Sequence, residues 1–229
     1  MKPLVIIRSG NTWPKVAERF GEFETQFLNR FKVKPANVMV VHAQENPIYP
    51  EPKNILGVIV SGAHENVTEN AAWMNDLENW IKKAHKNKIP MLGVCFGHQI
   101  IGKALGGQVG FNPNGDEYGL FAITTISNNM VFGKTLAKQF WAFATHSQSI
   151  LKLPEGAISH ANSDLEPNHI VHFGNKSWGF QLHPEFTYEL TNAYICAMKN
   201  AESLGTKNQQ NDAELFGQEL LDLFFDYCD

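Results

Sequence analysis

The 229-residue sequence has only three cysteines, Cys95, Cys196 and Cys228. An odd, widely spaced set excludes a disulfide framework and fits a reduced intracellular protein. No apolar run approaches the roughly 20 residues that span a bilayer. The opening Met1-Lys2-Pro3-Leu4-Val5-Ile6-Ile7-Arg8 has too short an apolar stretch for a signal peptide. A cytoplasmic protein with no membrane partner is expected. Basic charge is sparse too: 19 Lys and Arg stand against 23 Asp and Glu, a net charge of −4, and no basic run exceeds Lys82-Lys83. Nucleic acid is therefore excluded as a partner, because neutralising phosphates needs clustered cations. There is no internal repeat and no low-complexity tract. A hydrophobic share of 43% against 18% charged residues is that of a globular chain. At this length no disulfide or metal staple is needed. A single domain over 1–229 is expected, with a core of about 4–190 and a C-terminal helical extension of about 187–229.

What is present alternates between strand and helix. Leu4–Ile7, Val38–Val41, Ile55–Val60 and Ile89–Val94 are short apolar runs that read as strands, the first of them buried. Between them Trp13, Val16, Phe20, Phe23, Phe27 and Phe31 recur at steps of three or four and predict one helix, with Pro14 in its first turn. Ala72, Trp73, Leu77, Trp80, Ile81 and Ala84 predict another. The alternation implies an α/β fold: a mainly parallel central sheet flanked by helices. From Gly106 to Phe186 the apolar runs shorten and turn residues multiply. Additional short, partly antiparallel strands are expected there, at Tyr118–Ile126, Phe140–Thr145, Ala157–Ala161, His169–Phe173 and Trp178–Leu182. The C-terminal part reads as a helix over Tyr188–Leu204, a polar linker over Thr206–Asp212, and a final amphipathic helix marked by Leu215, Phe216, Leu220, Leu223, Phe224 and Tyr227.

Three segments could carry chemistry, each just past a predicted strand. In the first, an apolar strand runs into Gly93-Val94-Cys95-Phe96-Gly97 and helical periodicity follows. This is the pattern of a nucleophile elbow, which lifts its central side chain above the sheet edge at a helix N-terminus. By itself it is equally compatible with a buried structural cysteine. The second is His183-Pro184-Glu185, in which Glu185 could orient the imidazole and leave the other nitrogen for a sulfur. The third, Ser61-Gly62-Ala63-His64-Glu65-Asn66, is a turn whose backbone N–H groups, with that of Phe96, could bind an oxyanion.

Together, Gly93-Val94-Cys95-Phe96-Gly97-His98-Gln99 and His183-Pro184-Glu185 resemble the class I, triad-type glutamine amidotransferase family. Ser61–Asn66 resembles its oxyanion segment and Ala104-Leu105-Gly106-Gly107 the end of its post-elbow helix. Asn112–Gly119, Thr145-His146-Ser147 and Trp178-Gly179-Phe180-Gln181 resemble the branch related to the amidotransferase domain of GMP synthetase. The resemblance runs in the family's order from about residue 5 to 190. It implies a flavodoxin-like architecture, with Cys95 as nucleophile, His183 as base and acid, and Glu185 as its orienter. It also implies oxyanion-hole N–H groups from Gly62, Ala63 and Phe96, and contacts to the amino-acid end of glutamine from Gln99, Thr145, His146 and Ser147. Two positions depart from the family's pattern: Ala63-His64 replaces the usual Gly-Pro, and Gln148 stands where related members often carry Asp.

The implied activity is hydrolysis of the glutamine side-chain amide through a cysteine γ-glutamyl thioester, without a cofactor. Any ammonia acceptor would sit on a separate synthetase or acceptor subunit, or be absent. Two alternatives stay open: a γ-glutamyl peptidase using the same three residues, and a non-catalytic regulatory or binding protein on the same fold. Other motifs carry less. Gly97–Ala104 spells most of a phosphate-binding loop but has Ala104 where a magnesium-binding hydroxyl belongs. His169 and His172 fall on opposite faces of a strand, so no metal site is expected from them. Asp116 and Glu117 make no evident pair with another carboxylate. His42, His64, His85 and His160 read as surface or loop residues, and Cys196 and Cys228 as packing thiols.

Overall fold

The computed structural model describes residues 1–126, 130–198 and 204–228. The chain begins with β1 (Leu4–Arg8), α1 (Pro14–Phe20), α2 (Phe23–Leu28), β2 (Val38–His42), β3 (Gly57–Val60), α3 (Ala72–Lys86), β4 (Met91–Val94) and α4 (Phe96–Ala104). There follow β5 (Gln108–Phe111), β6 (Glu117–Thr125), β7 (Met130–Val131), β8 (Lys134–Thr135), β9 (Gln139–His146), β10 (Gln148–Lys152), β11 (Ile158–Asn162), β12 (Ile170–His172) and β13 (Ser177–Phe180). Two helices, α5 (Tyr188–Met198) and α6 (Lys207–Tyr227), complete it. Nine strands form the central sheet in the order β2-β1-β3-β4-β13-β12-β11-β6-β9. The first five run parallel, and the four beyond β13 continue the sheet antiparallel. The chain reverses direction across the sheet at β1 and β3, and in such folds the crevice beyond the strands' C-terminal ends is where ligands bind.

Alternation along the buried strands separates two apolar layers. Leu4 and Ile6 of β1 face one layer, which holds Phe27, Phe31, Trp178, Phe180, Leu182 and, from α6, Leu220, Leu221 and Phe224. Val5 and Ile7 face the other, with Met74, Leu77 and Ile81 of α3 and Phe96, Ile100 and Ile101 of α4.

Several expectations are corrected. The aromatic stripe over Trp13–Phe31 is two helices, not one. Gly21 caps α1 at φ +77, a left-handed angle at which the chain turns and restarts. Phe31 lies beyond α2 but remains in the core. Thr206–Asp212 is not a linker: Thr206 caps α6, whose first turns the segment forms, with Thr206 Oγ1 accepting from Gln209 N and Gln209 Oε1 accepting from Thr206 N. The predicted helix over Tyr188–Leu204 is described through Met198, residues 199–203 fall outside the described set, and Leu204 is not helical. Of the packing thiols, Cys228 is buried and Cys196 exposed. His160 is buried on β11. In α3, Ala72 is exposed and Met74 takes the core position. The two-stranded sheets β10-β5 and β7-β8 were not anticipated.

Candidate functional site

Residue 95 adopts φ +51 and ψ −106 between the end of β4 and the first residue of α4. A non-glycine residue at positive φ is strained and persists only where its surroundings dictate it. Here they do. A Cβ on Gly97 would lie 2.0 Å from Val60 O, and one on Gly93 2.3 Å from Gly97 O, so the turn closes only with glycine at both positions. The Cys95 amide is held by Phe180 O at 2.8 Å, and its carbonyl accepts from Gln99 N at 3.0 Å. The Cys95 side chain stands at the N-terminus of α4, where the Phe96 N–H has no intrahelical partner. Residues 97–104 form one continuous helix, which rules out an open phosphate-cradling loop there.

Beyond β13 the chain leaves the sheet at Phe180, two residues earlier than expected, and the following turn carries the imidazole. His183 Nδ1 donates to Glu185 Oε1 at 2.7 Å, and both side chains are buried. That contact leaves Nε2 3.2 Å from Thr145 Oγ1, and Cys95 stands close enough to the ring to bear on its charge. Burial by itself would lower the His183 pKa. The Glu185 carboxylate and Cys95 outweigh burial and raise it to about 10. The Cys95 thiol also points at Thr145 O, 3.7 Å away. Cys95, His183 and Glu185, drawn from two places in the sequence, thus meet at one corner.

The turn after β3 completes this corner. A Cβ on Gly62 would lie 3.4 Å from His183 Cε1 and 3.9 Å from Cys95 Cβ, so Gly62 faces both groups. Ser61 Oγ accepts from Ser9 N at 3.0 Å and donates to Gly62 O at 2.8 Å, which pins the turn to β1. Ala63 lies beside Gly62 and lines the same cavity of about 140 Å³, as do Phe96, Gln99, Thr145, His146, Ser147 and Gln148.

Gln99 is nearly spoken for: its Nε2 donates to Gln148 O at 2.7 Å and to Gln181 Oε1 at 2.9 Å, which leaves Oε1 for the cavity. The His146 ring turns inward, its Nδ1 at 3.0 Å from Gln148 O and its Nε2 at 3.0 Å from Glu117 Oε2. Gln148, at the departure from the family's pattern, donates to Thr68 Oγ1 at 2.6 Å, while its own Oε1 is buried without a hydrogen-bond partner among the described residues. Tyr118 lines the cavity, as Ser147 does. Burial, then the Asp116 charge, pushes the Tyr118 pKa up.

Sequence reasoning missed a buried cluster behind this wall. Glu117 Oε2 lies 2.8 Å from His169 Nε2 as well as 3.0 Å from His146 Nε2, and Ser163 Oγ donates to the other carboxylate oxygen. All three side chains are fully buried. Burial would raise the Glu117 pKa, but the two imidazoles hold it well below the usual carboxylate range. The three ligand-type atoms lie within 4.8 Å of one another, the donor set of a metal site. Separations of 2.8 and 3.0 Å are nonetheless ion-pair distances, shorter than the roughly 3.3 Å between ligands of a tetrahedral zinc; His146 Nε2 hydrogen-bonds the carboxylate, whereas His169 Nε2 approaches it without hydrogen-bond geometry. The partners lie 29 and 52 positions from Glu117, so only tertiary structure brings them together. His172 lies elsewhere, stacked on Trp178 at 4.4 Å.

Also unanticipated was the contribution of Phe23, Phe186, Tyr194 and Met198 to the cavity wall. Apolar periodicity marks only Phe23 among them, as core.

Residues 18–201 match the family described as glutamine amidotransferase class-I. Gamma-glutamyl peptidase 5 of Arabidopsis thaliana is 32% identical over 138 residues, which is 58% of this chain and little more than half, 55%, of that protein. One component of the glutamine-hydrolyzing GMP synthase of Methanococcus aeolicus is 30% identical over 165 residues, 72% of this chain and 79% of that one. The fold matches a glutamine amidotransferase crystal structure from Methylobacillus flagellatus with a TM-score of 0.77 at 19% identity, over 100% of this chain and 94% of that chain. Among the described residues no helix is long and apolar enough to cross a membrane. With the family match spanning most of its length, the chain belongs to the class I glutamine amidotransferases.

Proposed function

We propose that the protein hydrolyses the side-chain amide of glutamine, with Cys95 as nucleophile, His183 as the proton-transferring base and acid, and Glu185 as its orienter. The observation that carries this is the strained Cys95 at the head of α4, beside an imidazole whose Nδ1 is fixed 2.7 Å from a buried carboxylate. Cys95, its proton already held by His183, attacks the amide carbon. The oxyanion forms against the N–H groups of Gly62, Ala63 and Phe96. His183 then passes the proton to the leaving nitrogen, the C–N bond breaks and ammonia departs. Water, giving a proton to His183, cleaves the γ-glutamyl thioester; the sulfur leaves as the anion beside the imidazolium and glutamate departs. Glu185 favours the imidazolium at each stage and stays ionised.

At the amino-acid end of the substrate, Gln99 Oε1 and Gln148 Oε1 are acceptors for an α-ammonium, and Ser147 and Tyr118 are hydroxyl donors for an α-carboxylate. Thr145 steadies Nε2. His146 acts through Gln148 rather than by touching substrate. The likeness to a GMP synthase component supports an acceptor on another polypeptide; the likeness to a γ-glutamyl peptidase supports a second reading, in which the same residues cleave γ-glutamyl peptides.

Mass spectrometry after incubation with a γ-glutamyl electrophile tests the reading. One adduct on Cys95 is expected, together with loss of ammonia release in Cys95→Ala. An unmodified Cys95 in folded protein, or turnover surviving in Cys95→Ala, overturns it.

A further inference from the structure

The cavity lining divides into two groups. One is polar: Gln99 donates to the Gln148 carbonyl, Gln148 to Thr68, and Tyr118 and Ser147 add hydroxyls to the lining. The other is a run of rings. Phe186 stacks on His183 (4.0 Å, 15°), Tyr194 stacks on Phe186 (5.1 Å, 10°), His64 lies 6.0 Å from Tyr194, and Trp13, just outside the lining, lies 5.7 Å from it. Trp13 and His64 themselves stack face to face, at 4.4 Å and 8°, with His64 exposed. The Tyr194 hydroxyl is occupied by Thr12 Oγ1 at 2.5 Å, so its ring is what remains for the cavity.

The chemistry says which part of a substrate meets this run. His183 delivers its proton to the leaving nitrogen, so whatever that nitrogen carries must lie beside His183. Ammonia carries nothing and gains nothing from a wall of rings. A leaving amine with an apolar or aromatic substituent would bury that substituent against Phe186 and Tyr194 and meet the Trp13–His64 stack further out.

We infer that the ring-lined part of the cavity is a leaving-group subsite, and that γ-glutamyl amides of aromatic or apolar amines are substrates alongside glutamine. This rests on the proposed Cys95 chemistry and deepens it. The bonds are those of the glutamine reaction: sulfur–carbon forms, carbon–nitrogen breaks, His183 protonates the amine, and water releases glutamate.

The full-length protein is assayed for kcat/KM with γ-glutamyl-benzylamide and γ-glutamyl-methylamide, whose leaving groups are both primary alkyl amines, with glutamine alongside. Burying a phenyl ring predicts a benzylamide preference of roughly tenfold or more. H64A and W13A, each checked for an unchanged thermal midpoint, should bring the benzyl-to-methyl ratio toward one. Equal or lower kcat/KM for the benzylamide, in protein whose Cys95 is acylated and which turns over glutamine, overturns the subsite and leaves the Cys95 reading intact. A ratio unmoved by both substitutions also overturns it. Absence of acylation by every γ-glutamyl compound removes both readings together.

Discussion

At the scale of single residues, charge is placed where burial opposes it. Glu185 is fully buried yet faces an imidazole on one side, and it is the strongest influence holding the His183 proton against burial. Glu185→Gln keeps the shape and removes the charge. It should lower kcat on the order of 10³–10⁴-fold with little change in KM, because the lost interaction belongs to the transition state. An equal loss through KM would instead assign Glu185 to substrate binding. Glu117 is the second such residue, with no reacting atom in reach. Replacing it by Gln leaves His146 and His169 facing a neutral amide and should cost about 3 kcal/mol in urea unfolding, since half of a buried charged cluster is removed. The Gln148 carbonyl, which His146 and Gln99 share, should then shift and raise KM more than it lowers kcat. Unchanged stability would show the cluster to be unimportant.

At the scale of elements, the corner that carries His183 is set from behind by the C-terminal helix. A Cβ on Gly217 of α6 would lie 2.5 Å from Pro184 O and 3.1 Å from Pro184 Cα, so the helix backbone rests directly on the segment between His183 and Glu185. Glu214 Oε1 accepts from Tyr188 N at 2.8 Å and ties the same helix to the start of α5. Arg30, donating to Glu214 O, adds a positive charge near Glu185. Gly217→Ala therefore pushes on backbone that cannot swing away. We expect about 1–3 kcal/mol of lost stability and a fall in turnover larger than that seen with a similarly destabilising core substitution on the far layer, Ile81→Val. Matched activity loss in the two variants would show that α6 only stabilises the fold. Removing the α6 cap by Thr206→Ala should cost about 1 kcal/mol in the same unfolding measurement.

For the molecule as a whole, the buried charges predict a stability profile with two limbs. The Glu117 pKa is depressed on folding, so its contribution is present above the ordinary carboxylate value and is lost as pH falls below it. The His183 pKa is raised on folding, so its contribution is full below the ordinary histidine value of 6.5 and is lost as pH rises through about 10. Unfolding free energy should therefore be greatest between those limits. Glu117→Gln should flatten the acid limb and Glu185→Gln the alkaline one, by urea titration across pH. Persistence of both limbs in both variants would place the responsible groups elsewhere.

Local physics was enough for much of this. Apolar runs of four to six residues marked four of the five parallel strands, β1 to β4; β1, β3 and β4 are buried on both faces, where composition has little freedom, whereas β13 falls among the strands expected to be partly antiparallel. Gly93-Val94-Cys95-Phe96-Gly97 was legible as an elbow because the approach of Gly97 to Val60 tolerates no side chain. His183 and Glu185 are two residues apart, so their pairing was open to inspection. Tertiary structure decided what long separations concealed. Glu117 meets His146 and His169 only when β6, β9 and the entry to β12 are aligned, and no single window of sequence holds that arrangement. Gly21 splits one continuous aromatic stripe into two helices, and Phe23, Phe186 and Tyr194 become cavity wall as well as core because helices from distant parts of the chain converge on it. Periodicity records which side chains leave water; only the packed molecule decides which of them face a substrate.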